Sequence, residues 1–182
     1  MPNRRQSLLT TLLLAVSLTS LGGSGLDAAH SKVTATFRQM KVPVEAEFKA
    51  ITGTVSFDAA KPTEASAQLE IATASFDIGD EDYNAEVRKP EWFDSARFPK
   101  ASFVSRSVKS LGNGRYQVSG AFMLKGKTQD LSFVMTASPE GRNTRFEGSF
   151  PLSRKAFGVG DPAWAETVDD TVTVHFVVIA GA

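Results

Sequence analysis

Few side chains in this sequence are of the kinds that perform chemistry, and they do not converge. There are two histidines, His30 and His175, and no cysteine. Thiolate catalysis, disulfides and a lipidated cysteine anchor are therefore excluded, and no His/Cys cluster has metal-ligand spacing. His175 shares the parity of Thr171 and Thr173 in an alternating run and is expected to face solvent. Asp169-Asp170 is a carboxylate pair that could do acid–base work, but at the start of a strand it reads better as a solvated pair. Asp77, Asp80, Glu81 and Asp82 lack the alternating ligands and glycine of a calcium loop and read better as a solvated helix start. There is no Gly-x-Ser-x-Gly elbow and no Walker-type phosphate loop. Phe157-Gly158-Val159-Gly160 is too short and too aromatic for a dinucleotide loop. The expectation is no catalytic residue, no metal site, no cofactor and no enzymatic activity. A formal net charge of zero leaves no electrostatic footprint for nucleic acid.

What the chain has instead is aromatic carbon. All 13 phenylalanines lie at Phe37 or beyond. The densest stretch runs from Pro90 to Phe103 and holds Trp92, Phe93, Phe98 and Phe103 between and beside Pro90 and Pro99. Neither proline can donate a ladder hydrogen bond, so the first half reads as a corner that feeds a strand. Aromatics without catalytic partners point to packing, or to binding something apolar.

The elements that must position these rings follow from periodicity. Arg4 and Arg5 precede the apolar run Leu8 to Leu21, and small residues follow it. This is the pattern of a secretory signal peptide, too short for a membrane span. Residues 1–29 are read as a leader with an uncertain cleavage point and residues 30–182 as a single domain, exported and soluble. In the body, apolar and polar residues alternate through Val33 to Phe37, Val44 to Phe57, Ala65 to Ile71 and on towards Phe76, and Ala101 to Lys109. They alternate again through Tyr116 to Leu124, Leu131 to Met135, Thr144 to Leu152 and Val172 to Val178, as half-buried strands do. The apolar parity changes between Phe48 and Ile51, which predicts a bend or bulge near Lys49 to Gly53. Asp80 to Lys89 reads as a helix, acidic at its start, basic at its end and stopped by Pro90. Eight strands, with hairpin-length links in the second half of the chain, hide an apolar face and two edges by closing into an antiparallel, up-and-down, lipocalin-like barrel. The short helix would lie over one end. A two-sheet sandwich is the alternative.

The order of three segments resembles the YceI-like family of exported polyisoprenoid-binding proteins. The first is Phe48-Lys49 to Phe57-Asp58. The second is Trp92-Phe93-Asp94 to Phe98-Pro99-x-Ala101-x-Phe103. The third is Leu152-x-Arg154-x-x-Phe157-Gly158-Val159-Gly160, with Trp164 after it. Where the family often has an acidic residue before the Phe-Gly pair, this chain has Ala156. The resemblance implies a lipocalin-like barrel in the periplasm, holding a long isoprenoid chain such as the tail of a quinone or a related polyprenyl lipid. Carried onto this sequence, it implies Phe48, Phe57, Phe103 and Phe157 as wall positions, with Trp92, Phe93 and Trp164 near the mouths. Parity adds Phe37, Ile71, Phe122, Leu124, Phe133, Phe146, Phe150, Val174 and Phe176. The bland alternative is that these rings simply fill the barrel. Other readings are an accessory enzyme or redox partner acting on a bound quinone, and an exported structural or stress protein. The expected partner is the lipid itself, with transient membrane contact during exchange, and the protein is expected to be a monomer or homodimer. The inward parity is almost wholly apolar, so the tail is expected inside and the head at a mouth near Trp92 or Trp164.

Overall fold

A computed structural model of the protein describes residues 24–164 and 166–181. Most of the expected leader, residues 1–23, lies outside the described residues. Eleven strands form one sheet: β1 (Ser24–Gly25), β2 (Lys32–Gln39), β3 (Val42–Phe48), β4 (Ile51–Ser56), β5 (Ser66–Ala72), β6 (Phe76–Asp77), β7 (Lys100–Gly112), β8 (Arg115–Leu124), β9 (Lys127–Glu140), β10 (Asn143–Ser153) and β11 (Thr171–Gly181). The hydrogen-bonded order is β1-β4-β5-β7-β8-β9-β10-β11-β2-β3-β6. Every pairing is antiparallel.

β3 and β4 are two halves of one bent strand. Ala46 and Phe48 point inward in β3, and Ile51 and Val55 in β4; Ala46 is 1% exposed, Ile51 4% and Val55 7%. The exposed pair Lys49-Ala50 absorbs the change of parity between them. β3 pairs with β2 and β4 with β5, so the bent strand belongs to both ends of the sheet and the ring closes through its backbone. Counted this way, eight strands run up and down around a barrel, and β1 and β6 are two-residue patches over its seams.

The first seam, between β4 and β11, is filled by residues 24–27. Ser24 and Gly25 pair with Val55 and Thr54, the Leu26 amide donates to the Gly53 carbonyl (3.3 Å), and the Asp27 amide donates to Ile179 O (2.8 Å). At the second seam the expected continuation of β5 to Phe76 does not occur. The chain leaves the sheet after Ala72 through a 3₁₀ turn at Thr73–Ser75, and Phe76–Asp77 then pairs with Phe48 and Glu47. Thr73 is fully buried: its amide donates to Pro99 O (2.9 Å) and its hydroxyl to Phe98 O (2.8 Å). This turn lets one segment close the gap beside β3, where a straight strand would leave that backbone unpaired.

The helix α1 (Glu81–Val87) is shorter than the expected Asp80 to Lys89, because Arg88 and Lys89 already belong to the turns that lead to Pro90. Asp80 caps it, accepting from the amides of Asp82 (3.0 Å) and Tyr83 (3.3 Å). Asp77 is not part of an acidic cluster with free oxygens: it accepts from the Gly79 amide (2.8 Å) and from buried Asn84 Nδ2 (3.0 Å), fixing the approach to the helix. α1 and the corner at residues 88–99 lie over one end of the barrel, together with the long β10–β11 connection at residues 154–170. This is the loop end. The opposite, turn end carries the tight links Gly112-Asn113-Gly114 and Gly141-Arg142, the first with three successive positive φ values of 81°, 53° and 70°.

Candidate functional site: an apolar lumen

The inward residues of the eight strands do not fill the barrel. They surround a cavity of about 210 Å³. Fifteen of the sixteen positions expected from the sequence line it: every one named above except Trp164. Phe48, Phe57, Phe103, Phe133 and Val174 pack against the buried core but are only part-buried themselves, because their free faces border this void. An apolar cavity of this order stays dry and accepts apolar guests.

The wall is organised as aromatic contacts. At the turn end Phe57 is held edge-on by Tyr116 (centroids 5.2 Å, interplanar 87°) and Phe146 (5.1 Å, 85°), which makes a floor. In the middle Phe133 stacks on Phe150 (5.1 Å) and meets Phe103 (5.5 Å) and Phe176 (5.4 Å). At the loop end Phe48, Phe76 and Phe93 form a triangle with centroid separations of 5.6, 5.9 and 5.7 Å, and Phe122 meets Phe157 (5.4 Å). Trp92, Val87, Val159 and Val168 complete that end of the lining.

Three polar side chains among the liners, Thr73, Ser105 and Arg154, are committed to backbone, whereas Trp92 Nε1 is buried without a hydrogen-bond partner. Thr73 donates to Phe98 O, and Ser105 Oγ accepts from the Ala67 amide (2.8 Å). Arg154, which periodicity left unassigned, is 6% exposed. Its Nε donates to Asp169 O (3.0 Å), Nη1 to Val159 O (3.0 Å) and Nη2 to Val168 O (2.7 Å), and its guanidinium lies 5.9 Å from the Trp92 ring. Gly160 makes room for it, since a Cβ there would stand 2.0 Å from Arg154 Nη1. Arg154 thus gives the β10–β11 connection the hydrogen bonds that a ladder would otherwise supply. A signal for it was present, because Arg154 shares the inward parity of Phe150 and Leu152.

Two further groups tie the loop end together. Lys125, in the β8–β9 turn, donates to Pro90 O and to Gly158 O, each at 2.7 Å, and so joins the corner to the β10–β11 connection. Burial pushes its pKa below the ordinary lysine value. Asp170 is not simply half of a solvated pair. Burial acts to raise its pKa, yet the Lys155 amide (2.9 Å) and the Ser153 hydroxyl (2.8 and 2.9 Å) outweigh that and hold it below the usual carboxylate range. His175 lies on the outer wall, where its Nε2 meets Glu147 Oε1 at 3.3 Å.

Beside the lumen at the loop end is a second pocket of about 50 Å³, lined by Phe37, Gln39, Phe76, Ile78, Tyr83, Glu86, Val87, Trp92, Trp164 and Val168. Trp164, the sixteenth position, lies here. The pocket shares Phe37, Phe76, Val87, Trp92 and Val168 with the lumen. Around it lie exposed apolar side chains: Met40 (73%), Tyr83 (46%) and Trp164 (38%). The Met40 amide donates to Thr167 O (2.7 Å), which fixes the β2–β3 turn beside the Trp164 segment.

An up-and-down barrel with a phenylalanine-lined lumen and one end built from aromatic connections defines a lipocalin-like binding fold. The comparisons agree. The chain belongs to the YceI-like family, whose domain model matches residues 25–180. A UPF0312 protein of Pseudomonas syringae pv. tomato is 31% identical over 141 residues, covering 74% of this chain and 73% of that protein. Among solved structures, Burkholderia cenocepacia BcnA superposes with a TM-score of 0.82 at 39% identity, over 85% of this chain and 99% of BcnA. A polyisoprenoid-binding domain from Saccharophagus degradans shares the fold, with a TM-score of 0.71 at 18% identity over 88% of this chain and 98% of that domain.

Proposed function

We propose that this protein holds a long isoprenoid chain, the tail of an isoprenoid quinone or a related polyprenyl lipid, in its lumen and sequesters or ferries it without altering it. The observation that supports this most is the lumen itself. It is an open, phenylalanine-walled void whose polar neighbours Thr73, Ser105 and Arg154 are already engaged with backbone. The Saccharophagus domain named for polyisoprenoid binding, which has the same fold, favours the same class of ligand. Affinity on this reading comes from burial, at about 25 cal/mol per Å² of apolar surface. The tail lies in the lumen and the head at the loop end, near Trp92 and Trp164, where the second pocket adjoins. The basic start and apolar run of residues 4–21 support export to the periplasm ahead of this role.

Lipid extraction and mass spectrometry of protein purified from its native host tests the reading. A stoichiometric isoprenoid is the expected result. A ligand series with one head and increasing isoprenoid length should gain about 0.8 kcal/mol per additional buried CH₂ until the lumen is full. Affinity that follows the head group and ignores the tail would overturn the proposal.

A further inference from the structure

The middle of the lumen is crossed by a belt in which large and absent side chains alternate from strand to strand. On the inner faces of β7 to β11 stand Phe103, Gly120, Phe133, Gly148 and Phe176. Gly120 lies between the inward residues Val118 and Phe122, and Gly148 between Phe146 and Phe150, all four buried. Both glycines therefore occupy positions where a side chain would point into the bore.

Each is covered by a neighbouring phenyl ring. A Cβ on Gly148 would stand 2.8 Å from Cζ and 3.0 Å from Cε1 of Phe176, its cross-strand partner, and 3.1 Å from Val134 O. A Cβ on Gly120 would stand 2.7 and 2.8 Å from the Phe103 ring and 2.3 Å from Val104 O. Phe103 and Phe176 thus fold back onto bare backbone. Phe133, between them, is in contact with both rings. Interior positions of small barrels commonly pair large with small residues to suit the space available; here the pairing keeps two large rings flat against the wall.

The geometry points to Gly148 with Phe176, and Gly120 with Phe103, as the residues that set the lumen's calibre and so select ligands by the girth of the chain. The inference rests on the proposed function and adds a determinant of specificity to it. A methyl-branched chain needs both rings flat, whereas a straight alkyl chain passes a raised ring. Gly148 is the cleaner position to test, because its closest contacts are the far edge of a side chain that can move. The closest contact at Gly120 is a backbone carbonyl.

The experiment compares geranylgeraniol with 1-hexadecanol, both as displacers of a fluorescent apolar probe from the full chain, with thermal melts run in parallel. Gly148→Ala should lift the Phe176 ring into the bore, weakening geranylgeraniol about tenfold or more and 1-hexadecanol no more than about threefold, the tenfold step being the loss of one or two buried methylenes. Gly148→Ala with Phe176→Leu should restore geranylgeraniol to within about threefold of the parent. Equal loss of both alcohols, or no loss of either, overturns the inference and leaves the proposed function standing. Failure of both alcohols to bind the parent protein sinks the proposed function itself. If Gly148→Ala does not fold, Phe176→Leu alone decides, since it leaves the glycine untouched. It should shift the affinity ratio towards the branched alcohol, and an unchanged ratio overturns the inference.

Discussion

The two ends of the barrel close the same lumen by different means. The turn end is made of strands and their tight links. Its floor is carbon on carbon, with Phe57 between Tyr116 and Phe146, and its seam is sewn by the backbone of residues 24–27. The loop end is made of connections. Thr73, Asn84, Asp94 and Arg154 are buried polar residues and all lie there; among the described residues only Thr34 is buried and polar elsewhere. The reason is that irregular backbone brought into a core has no ladder, so side chains must supply its hydrogen bonds. The contrast shows where the barrel is built to stay shut and where it is held by a few replaceable bonds. Exposed Met40, Tyr83 and Trp164 also lie at the loop end.

The largest effect should come from removing the bonds that only the loop end uses. Arg154→Met leaves the carbonyls of Val159, Val168 and Asp169 without their donor, which should cost about 3–5 kcal/mol in urea unfolding. A loss under about 1 kcal/mol would mean that the connections stand without it. A smaller, kinetic effect should separate the ends. The chain has no cysteine, so Tyr83→Cys with Trp164→Cys gives two unique thiols in the lining of the second pocket, one on α1 and one on the β10–β11 connection. Joining them with a short bismaleimide should slow release of a bound isoprenoid about tenfold or more, equivalent to about 1.4 kcal/mol on the barrier. Unchanged release would place the exit elsewhere and break the comparison. The smallest effect is on pH dependence. The folded pKa of Asp170 lies below its unfolded value, so its contribution is complete above the ordinary carboxylate pKa and is lost as pH falls through the lowered folded one. Asp170→Asn should therefore lower stability at neutral pH and flatten the acid limb of a melting-temperature profile. An acid limb that keeps its slope would assign that limb to other carboxylates.

The strands and the direction of their side chains were legible because alternation is a local property. A run such as Phe146, Gly148, Phe150, Leu152 shows its inward face without knowledge of its partner, and the parity change after Phe48 announced the bend at Lys49-Ala50. The seams were not legible. Nothing in Thr73-Ala74-Ser75 says that the chain must turn there, since the demand comes from β3, a distant segment with unpaired backbone. Arg154 and Asp170 were missed for a related reason. Their residue types argue for solvent, and only the carbonyls and amides gathered around them in three dimensions make burial favourable. The family motif carried Arg154 within it, but the resemblance supplied no reason for its position.

The bent strand has a consequence for how the molecule comes into being. The hairpins from β7 to β10 join neighbours in the chain, whereas the pairing of β11 with β2 sets Thr173 against Thr36 and Phe176 against Val33, across almost the whole domain. Contacts of such separation are slow to form, because the closure entropy falls due before the contact repays it. Until Thr171–Gly181 meets Lys32–Gln39 there is no enclosed volume, only a curled sheet with β11 and β2 as open edges. In that interval the unfinished chain is most exposed to pairing with a second copy. A guest that fits only the finished enclosure arrives too late to hasten that meeting, and its stabilisation appears instead as slower opening of the completed ring.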